Sequence, residues 1–270
     1  MPELAEVEYY RRRWDSGLGR KITGVSVHPR ARIFRRTDSE VIVQRLTGTV
    51  LATSQAHGKQ MLFGFSGGIW LSLHLGMTGE LSSGPRNFQD RKHHHLVLRQ
   101  SAGSLIFADY RQFGEVRLDE GSDTPVWWRE LPPLLTSPDF TREMLAAYLT
   151  RRAKTPVKSA LLHQERFPGI GNWMADEILW RARIRPQCVC GRIKGRKLSD
   201  LLSAVISVCR DALAVIADTG EDPPSDWLFS HRWADGGHCP KTGKRLLRST
   251  IGGRMTCWSP TWQRWPRDVL

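Results

Sequence analysis

The spacing of apolar positions separates the chain into regions of different periodicity. Val7, Tyr10 and Trp14 recur at helical spacing in residues 5–14, which predicts an amphipathic helix near the start of the chain. Residues 22–118 instead carry short β-branched and aromatic runs separated by turn residues, which is typical of strands. These runs are ITGVSV, GTVLATS, QMLFGF, GGIWLSLHL, HHLVLR, SLIFAD and GEVRL. About seven strands at this spacing predict a β-sandwich or a barrel.

The helical period returns in the second half of the chain. Its segments are residues 141–150, 157–164, 172–183 and 197–217. Residues 119–138 contain four prolines and no sustained period, which predicts a domain boundary there. Near the end, KRLLRST followed by IGGRMTCW predicts a β-hairpin with Gly252 and Gly253 at its turn.

Composition narrows the kind of partner. The 270 residues include 40 Lys and Arg against 27 Asp and Glu, and this net charge of +13 indicates a polyanion as the partner. No run of about 18 apolar residues is present, and acids lie where a signal peptide would be basic, so we expect an intracellular protein. Five unevenly spaced cysteines do not predict a disulfide framework and fit a reducing compartment.

The first residues, MPELAEVE, are candidates for chemistry. Removal of Met1 would leave Pro2 as a secondary amine, and an α-amino group has a reference pKa of roughly 7.7 to 8.0, so part of it is nucleophilic near neutrality. Glu3 is close enough to deliver or accept a proton. The same Pro-Glu pair is also a common way to open a helix, with acids at the positive end of the helix dipole.

Three further stretches have a functional and a structural interpretation. In FPGIGNWMADEILW, a glycine-rich turn before a helix capped by Asn172 suits phosphate binding, but it is equally an ordinary connection between helices. Lys59 follows a glycine just before a strand, where a lysine is usually a solvated charge. Met77 and Phe113 lie in the glycine-bounded turns HLGMTG and DYRQFGE, and turns seldom bury side chains of this size.

Taken in order, MPELAEVE, the Gly-Lys pair, HLGMTG, DYRQFG and PGIGNWMADEIL resemble the formamidopyrimidine-DNA glycosylase and endonuclease VIII family of base-excision repair enzymes. The resemblance spans essentially the whole chain. It implies an N-terminal two-sheet β-sandwich with a leading helix in residues 1–125. A helix-two-turn-helix domain would follow in residues 126–225 and a β-hairpin finger in residues 226–270, with DNA between the domains.

The resemblance also implies an activity and a set of residues. The protein would be a bifunctional glycosylase and AP lyase, in which Pro2 attacks C1′ of a damaged nucleotide, forms a Schiff base and cuts the strand by β- and δ-elimination. Glu3 would protonate the sugar ring oxygen, and Lys59 would assist base removal at the flanking phosphate. The other implied DNA ligands are Glu6 near the sugar, His74, Asn172 and Arg254 on phosphates, and Met77, Arg111 and Phe113 inside the duplex.

Two departures from the family pattern change the expectations. Most members hold zinc with two Cys-x-x-Cys pairs, but only one of the four ligand positions is a cysteine here. The four positions are Cys239, Thr242, Ser259 and Trp262. Because structural zinc needs four suitable donors, we expect a zincless finger with no cofactor, packed instead by Trp258, Trp262 and Trp265.

The second departure concerns the substrate. DTGEDPPSDWLFSHRW is shorter than the glycine-rich loop that covers flipped 8-oxoguanine in part of the family, which leaves the preferred lesion open. The run His93 to His95 suggests a metal site, but side chains alternate between faces of a strand, and the family has histidines there without metal. We therefore expect no metal at this run.

Two other functions compete with the enzyme. A non-catalytic protein that binds DNA damage or abasic sites could keep the scaffold, although the retention of Pro2, Glu3 and Lys59 argues against it. A helix-turn-helix transcription factor would leave the first residues unexplained. The expected partner is damaged double-stranded DNA and no membrane, and the expected protein is a monomer in a bacterial-type cytoplasm, associated with the nucleoid.

Overall fold

A computed structural model describes residues 1–28 and 30–265. The chain divides into a first unit, Met1–Leu131, and a second unit, Pro132–Leu270. Residues 266–270 of the predicted finger lie outside the described part of the chain.

Two antiparallel four-stranded sheets build the first unit, in the orders β1-β6-β7-β5 and β2-β3-β4-β8. The strands are β1 (Ile22–Val27), β2 (Leu51–His57), β3 (Gln60–Phe65), β4 (Ile69–His74), β5 (Gly79–Gly84), β6 (His94–Gln100), β7 (Gly103–Asp109) and β8 (Glu115–Glu120). Ile22, Leu96 and Phe107 of the first sheet share one buried cluster with Met61 and Leu71 of the second. The predicted two-sheet sandwich is therefore confirmed.

The predicted leading helix is α1 (Leu4–Arg12), and Trp14 fixes its far end. The Trp14 side chain is fully buried, its Nε1 donates to the Ile106 carbonyl at 3.2 Å, and its ring lies 4.7 Å from that of Phe63. Ile106 belongs to one sheet and Phe63 to the other. One tryptophan therefore attaches α1 to both layers of the sandwich.

Strand β5 and the helix Ser39–Leu46 of the first unit were not predicted. Strand β5 reads GELSSG, which lacks β-branched residues, yet it pairs along its length with β7 through the backbone. Helix α2 (Ser39–Leu46) is rich in valine and isoleucine, and it begins where the Asp38 side chain accepts a hydrogen bond from the Glu40 amide at 2.9 Å. Backbone pairing makes GELSSG a strand although it lacks strand-forming residues, and capping at Asp38 starts a helix although the segment is rich in β-branched residues.

Helices dominate the second unit. They are α4 (Arg142–Arg151), α5 (Val157–Leu161), α6 (Asn172–Arg181) and α7 (Gly195–Thr219), and the short α3 (Val126–Arg129) precedes them in the first unit. The four predicted helices are confirmed, although α5 ends three residues and α6 two residues before the predicted ends. The hairpin of β9 (Leu247–Ile251) and β10 (Arg254–Trp258) is also confirmed, because Gly252 and Gly253 both take positive φ at its turn.

Candidate functional site

The first turn of α1 holds two of the predicted carboxylates. Glu3 is the residue that caps the helix, and it is buried. Its side chain accepts from the backbone of Glu6, while the Glu6 Oε2 atom accepts from the Glu3 amide at 3.1 Å. This reciprocal capping confirms that acids open the helix, although Pro2 precedes the cap and lies outside the first turn, and it holds one carboxylate rigidly beside the half-buried Pro2.

Lys59 lies close to the start of the chain. It occupies the turn between β2 and β3, where Gly58 takes a positive φ of 61°. The Lys59 Nζ atom is 4.0 Å from the Met1 Sδ atom, and Met1 is bonded directly to Pro2. The pairing of Gln60 with His74 brings the next strand to the same end of the sheet. The lysine is therefore a neighbour of both the chain start and His74.

His74 is held as a neutral ring. Its Nδ1 atom accepts a hydrogen bond from the Gly76 amide at 3.0 Å, so the proton of the neutral ring is on Nε2. Burial lowers the pKa of His74 from its ordinary value, and the cation of Lys59 lowers it further. The ring thus offers an N–H donor near neutral pH without carrying a charge.

Asp109, which sequence reasoning missed, joins the two glycine-bounded turns. This carboxylate at the end of β7 is fully buried. Its Oδ1 atom accepts from Thr78 Oγ1 at 2.7 Å and from the Arg111 amide at 3.2 Å, and its Oδ2 atom accepts from the Gly114 amide at 2.7 Å. One side chain therefore fixes the loop that carries Met77 to the loop that carries Arg111.

The two turns also touch through their backbones. Gly76 has a φ of 61°, and a Cβ atom there would lie 2.4 Å from the Phe113 carbonyl carbon. Only glycine allows this approach. Met77 and Phe113 are 37% and 46% exposed, and the Arg111 guanidinium lies 4.8 Å from the centre of the Phe113 ring. Three large side chains therefore project from one rigid pair of loops.

A pocket of about 310 Å³ opens beside Pro2. Its other walls are Tyr10, Met77, Thr78, Gly79, Glu80, His93, Ala108 and Tyr110. Burial, followed by the nearby Glu80 carboxylate, raises the pKa of Tyr10 to about 12, so this phenol stays protonated. Sequence reasoning assigned Tyr10 to the apolar face of α1 and did not identify Glu80 or Tyr110, because the pocket forms only when β5 and β7 pair.

The three consecutive histidines point to different partners. His93 lines the pocket, His94 Nδ1 accepts from the Arg91 amide at 3.1 Å, and the buried His95 places Nε2 2.8 Å from the Asp109 carbonyl oxygen. Within residues 1–28 and 30–265, no cluster of three or more His, Cys, Asp or Glu side chains is arranged to hold a metal ion.

In the second unit, Asn172 and Arg254 come together at the hairpin. Asn172 is the first residue of α6, and Gly171 caps the helix, so the predicted cap is wrong by one position. The Asn172 side-chain amide donates to the Met255 carbonyl at 2.8 Å, next to the exposed Arg254. A Cβ atom on Gly252 would lie 2.2 Å from Ser159 Oγ, so the hairpin turn packs closely on α5.

A buried ion cluster supports this corner, and no local sequence pattern indicates it. The Lys158 ammonium donates to Asp176 Oδ1 and to the Asn172 carbonyl, both at 2.6 Å. The other Asp176 oxygen accepts from Arg232 at 2.7 Å and from the Cys257 amide at 3.1 Å. Two cations therefore share the Asp176 carboxylate, and one of them also bonds to the backbone of Asn172.

The four finger positions Cys239, Thr242, Ser259 and Trp262 are bonded to one another or to the core. Cys239 is buried and accepts from Trp180 Nε1 at 3.3 Å. Thr242 and Ser259 hydroxyls both lie within 3.3 Å of the Thr261 hydroxyl, and Trp262 Nε1 donates to the Trp180 carbonyl. One thiol, two hydroxyls and an indole do not fit a structural zinc ion.

Of the three tryptophans expected to pack the finger, two do so. Trp258 is buried, and Trp262 packs against the cluster of Trp180, Leu228, Cys239, Leu246 and Cys257. Trp265 remains 45% exposed beneath the Arg185 guanidinium, so the expectation is wrong for this residue. All five cysteines are buried, and they form no disulfide.

Among the described residues, no helix combines the length and the apolar character needed to cross a bilayer.

Known proteins resemble the chain over nearly all of its length. Residues 1–116 match the formamidopyrimidine-DNA glycosylase N-terminal domain, and residues 131–222 match the formamidopyrimidine-DNA glycosylase H2TH domain. The formamidopyrimidine-DNA glycosylase of Exiguobacterium sibiricum is 31% identical over 98% of this chain and 99% of its own. That of Solibacter usitatus is 36% identical over 86% and 87%.

Solved structures of the same family have a similar fold. Wild-type Fpg (MutM) of Lactococcus lactis, crystallised with DNA containing an oxidised pyrimidine, matches with a TM-score of 0.87 and 26% identity, covering 97% of this chain and all of the other. MutM in complex with DNA containing carbocyclic 8-oxo-G matches over the same shares with a TM-score of 0.86 and 26% identity.

Replacement of Asp109 by Asn is expected to loosen both turns. An amide nitrogen would face a backbone N–H or the Thr78 hydroxyl, and a buried unsatisfied donor costs about 1–3 kcal/mol. The Gly114 amide is expected to exchange its hydrogen faster, and the free energy of unfolding to fall by about that amount. Thr78→Val removes a single bond and is the milder control. Unchanged exchange at Gly114 in Asp109→Asn would contradict the joining role.

Replacement of Lys59 by Gln is expected to raise the pKa of His74, measured by NMR titration of its ring. Burial remains, so the pKa stays below the ordinary value of 6.5. Arg35→Gln, which removes a weaker cationic influence, is expected to raise it less. The pKa of His74 is lower in the folded protein than in the unfolded chain. The folded protein therefore keeps its full free energy of unfolding above about pH 6.5, where the ring is neutral, and loses part of it as the pH falls and the ring must take up a proton. An unchanged pKa in Lys59→Gln would show that the two groups do not interact.

Proposed function

Because the chain belongs to the formamidopyrimidine-DNA glycosylase family of base-excision repair enzymes, we propose that it is a bifunctional DNA glycosylase and AP lyase acting as a monomer on damaged double-stranded DNA. The observation that carries the proposal is the position of Pro2 at a pocket, with the buried Glu3 beside it and Lys59 close to Met1.

The chemistry begins when removal of Met1 frees the Pro2 amine. The nitrogen lone pair forms a bond to the sugar C1′, the base leaves with the electrons of the glycosidic bond, and Glu3 supplies the proton that opens the sugar ring. The nitrogen then loses its proton, and its lone pair forms a second bond to C1′ as the C1′–O4′ bond breaks and O4′ takes the Glu3 proton, which leaves an iminium. This electron sink makes a C2′ proton acidic, so the C3′–O bond and then the C5′–O bond break by β- and δ-elimination.

The paired turns suit the task of exposing the nucleotide. Extrusion of a base from the duplex costs a few kcal/mol, and side chains that fill the vacated space offset part of this cost. Met77, Arg111 and Phe113 project from loops that Asp109 holds rigid, and the guanidinium stacked on Phe113 enlarges the flat surface. We infer that these three side chains replace the extruded nucleotide in the stack.

The pocket beside Pro2 is the proposed place for the extruded base. Its aromatic walls, Tyr10 and Tyr110, suit a flat ring, and Glu80 and His93 can exchange hydrogen bonds with its polar edge. Solved relatives hold DNA with an oxidised pyrimidine or with 8-oxo-G. We therefore propose oxidised bases of both kinds as the substrates to compare first.

Phosphate contacts are assigned to both units. In the first, Lys59 and the neutral His74 offer N–H donors at one end of the sheet. In the second, the Asn172 side chain bonds to the Met255 backbone, next to Arg254, and the Asn172 carbonyl accepts from the buried Lys158. Charge-assisted contacts to phosphate make binding strongly dependent on salt.

The direct test is borohydride reduction during the reaction with duplexes that carry an abasic site, 8-oxoguanine, formamidopyrimidine or an oxidised pyrimidine. Reduction converts the iminium to a stable amine, so the wild type is expected to form a covalent protein–DNA adduct. Pro2→Gly and Glu3→Gln are each expected to lose base excision by at least about a hundredfold, the usual contribution of such a group. Residual cleavage of abasic DNA is compatible with this expectation.

Arg12→Gln is a suitable control, because this exposed arginine pairs with Glu8 on α1 and takes no part in the proposed chemistry. It is expected to form the adduct at the wild-type rate. Lesion binding without any adduct would instead identify a non-catalytic damage-binding protein. Unchanged excision in Pro2→Gly or Glu3→Gln would remove that residue from the mechanism.

We also propose that the hairpin finger functions without zinc, because its hydroxyl and thiol groups are bonded within the protein. Metal analysis of the purified protein is expected to find well under one equivalent of zinc, and a chelator is expected to leave the melting temperature unchanged. A full equivalent of zinc, together with destabilisation by the chelator, would contradict this proposal.

A further inference from the structure

The segment that connects α6 to α7 carries much of the charge of the chain. Residues 181–199, here called the basic strap, contain seven cationic residues and no Asp or Glu, whereas the net charge of the whole chain is +13. The seven are Arg181, Arg183, Arg185, Arg192, Lys194, Arg196 and Lys197. None of them belongs to the site proposed above.

The strap presents these charges outward because alternate residues anchor it. Ala182, Ile184 and Cys188 are at most 3% exposed. Arg183, which lies between two of these anchors, is exposed. Its guanidinium is held 3.6 Å from the centre of the Trp262 ring, and its φ of 55° is unusual for a residue other than glycine. The backbone therefore fixes this cation on the surface.

A groove of about 770 Å³ lies between the start of the strap and the first turns of α7. Its charged and hydroxyl-bearing walls are Arg181, Arg183, Arg196, Lys197, Asp200, Ser203 and Ser207. Hydroxyl donors and guanidinium groups around a concave surface are the combination that binds phosphate oxygens.

The cations of this groove differ in how closely they are paired with carboxylates. Arg181 pairs with Glu177 and Asp211, and Lys197 pairs with Asp200 at 3.1 Å. Arg196 is different, because its side chain is 94% exposed and lies 4.0 Å from Asp200. Arg196 also lies in the first turn of α7, where the helix dipole disfavours a cation. A bound anion would relieve this unfavourable arrangement.

The groove is distinct from the proposed phosphate site at Asn172. Asn172 begins α6 and Arg181 ends it. A helix of this length separates its two ends by about 14 Å, at about 1.5 Å per residue. The two basic regions of the second unit therefore lie at opposite ends of one helix.

We propose that the basic strap and its groove form a second DNA-binding surface, which takes the phosphate backbone of duplex DNA without regard to damage. Its function would be to hold DNA during the search for a lesion, since non-specific binding rests almost entirely on phosphate contacts. Binding to undamaged DNA requires no catalysis, so the proposal can fail independently of the function proposed above.

The test uses the full chain and undamaged duplex DNA of about 60 base pairs, titrated at several salt concentrations. The triple variant Arg183→Gln, Lys194→Gln, Arg196→Gln removes three exposed cations of the strap. The affinity is expected to fall about tenfold or more at low salt, and the slope of log K against log salt to decrease by about 0.9 for each phosphate that the variant no longer neutralises. The single variant Arg196→Gln is expected to show a smaller change in the same direction, and it guards against misfolding caused by removal of the Arg183 stack.

The matched control is Arg20→Gln, Lys21→Gln, Arg45→Gln, which lowers the net charge equally through exposed residues of the first unit. Its affinity is expected to fall less than twofold. Single-turnover excision, measured at protein concentrations that saturate a lesion duplex, is expected to be unchanged in the strap variant, because the strap takes no part in the chemistry. Equal reductions in the two triple variants, no reduction in the strap variant, or a loss of single-turnover excision at saturation would each overturn the proposal.

Discussion

The burial of Trp14 between two sheets is the constraint on which the site in the first unit depends. Its indole bonds to one sheet and packs on the other, so the end of α1 cannot shift without disturbing both. A helix of nine residues is stiff, and reciprocal capping by Glu3 and Glu6 closes its other end. The position of Pro2 is therefore set by the sandwich core, although Pro2 is only one residue from the end of the chain.

Buried side chains also fix the residues that project from the sandwich. A buried carboxylate, Asp109, orders two turns whose exposed residues would otherwise have little to hold them. In the second unit, Asp176 does the same for the corner that carries Asn172 and the hairpin. The turns that carry Met77, Arg111 and Phe113, and the corner that carries Asn172, thus rest on buried carboxylates that make several hydrogen bonds each, which is how exposed side chains reach a defined geometry.

The sequence predicted most of the scaffold, because its helices, strands and turns carry local signals, and the ordered motifs indicated the candidate residues of the site. Glycines at Gly76 and Gly253 mark turns, and apolar periodicity marks α1 and α7. Strand β5 was not predicted, because it is a strand only through its pairing with β7, which is distant in the chain. The buried ion pair of Lys158 and the place of Tyr10 in the pocket were not predicted for a related reason. Their partners are distant in the chain, and an isolated lysine or tyrosine has no distinctive spacing.

The proposed chemistry requires that the α-nitrogen of Pro2 becomes bonded to the sugar. The most direct measurement of this bond is peptide mapping, by mass spectrometry, of protein reduced with borohydride during reaction with abasic DNA. We expect one modified peptide, which begins at Pro2 and carries the sugar remnant on that nitrogen. A remnant on Lys59, or efficient excision by protein that retains Met1, would contradict the proposed role of Pro2.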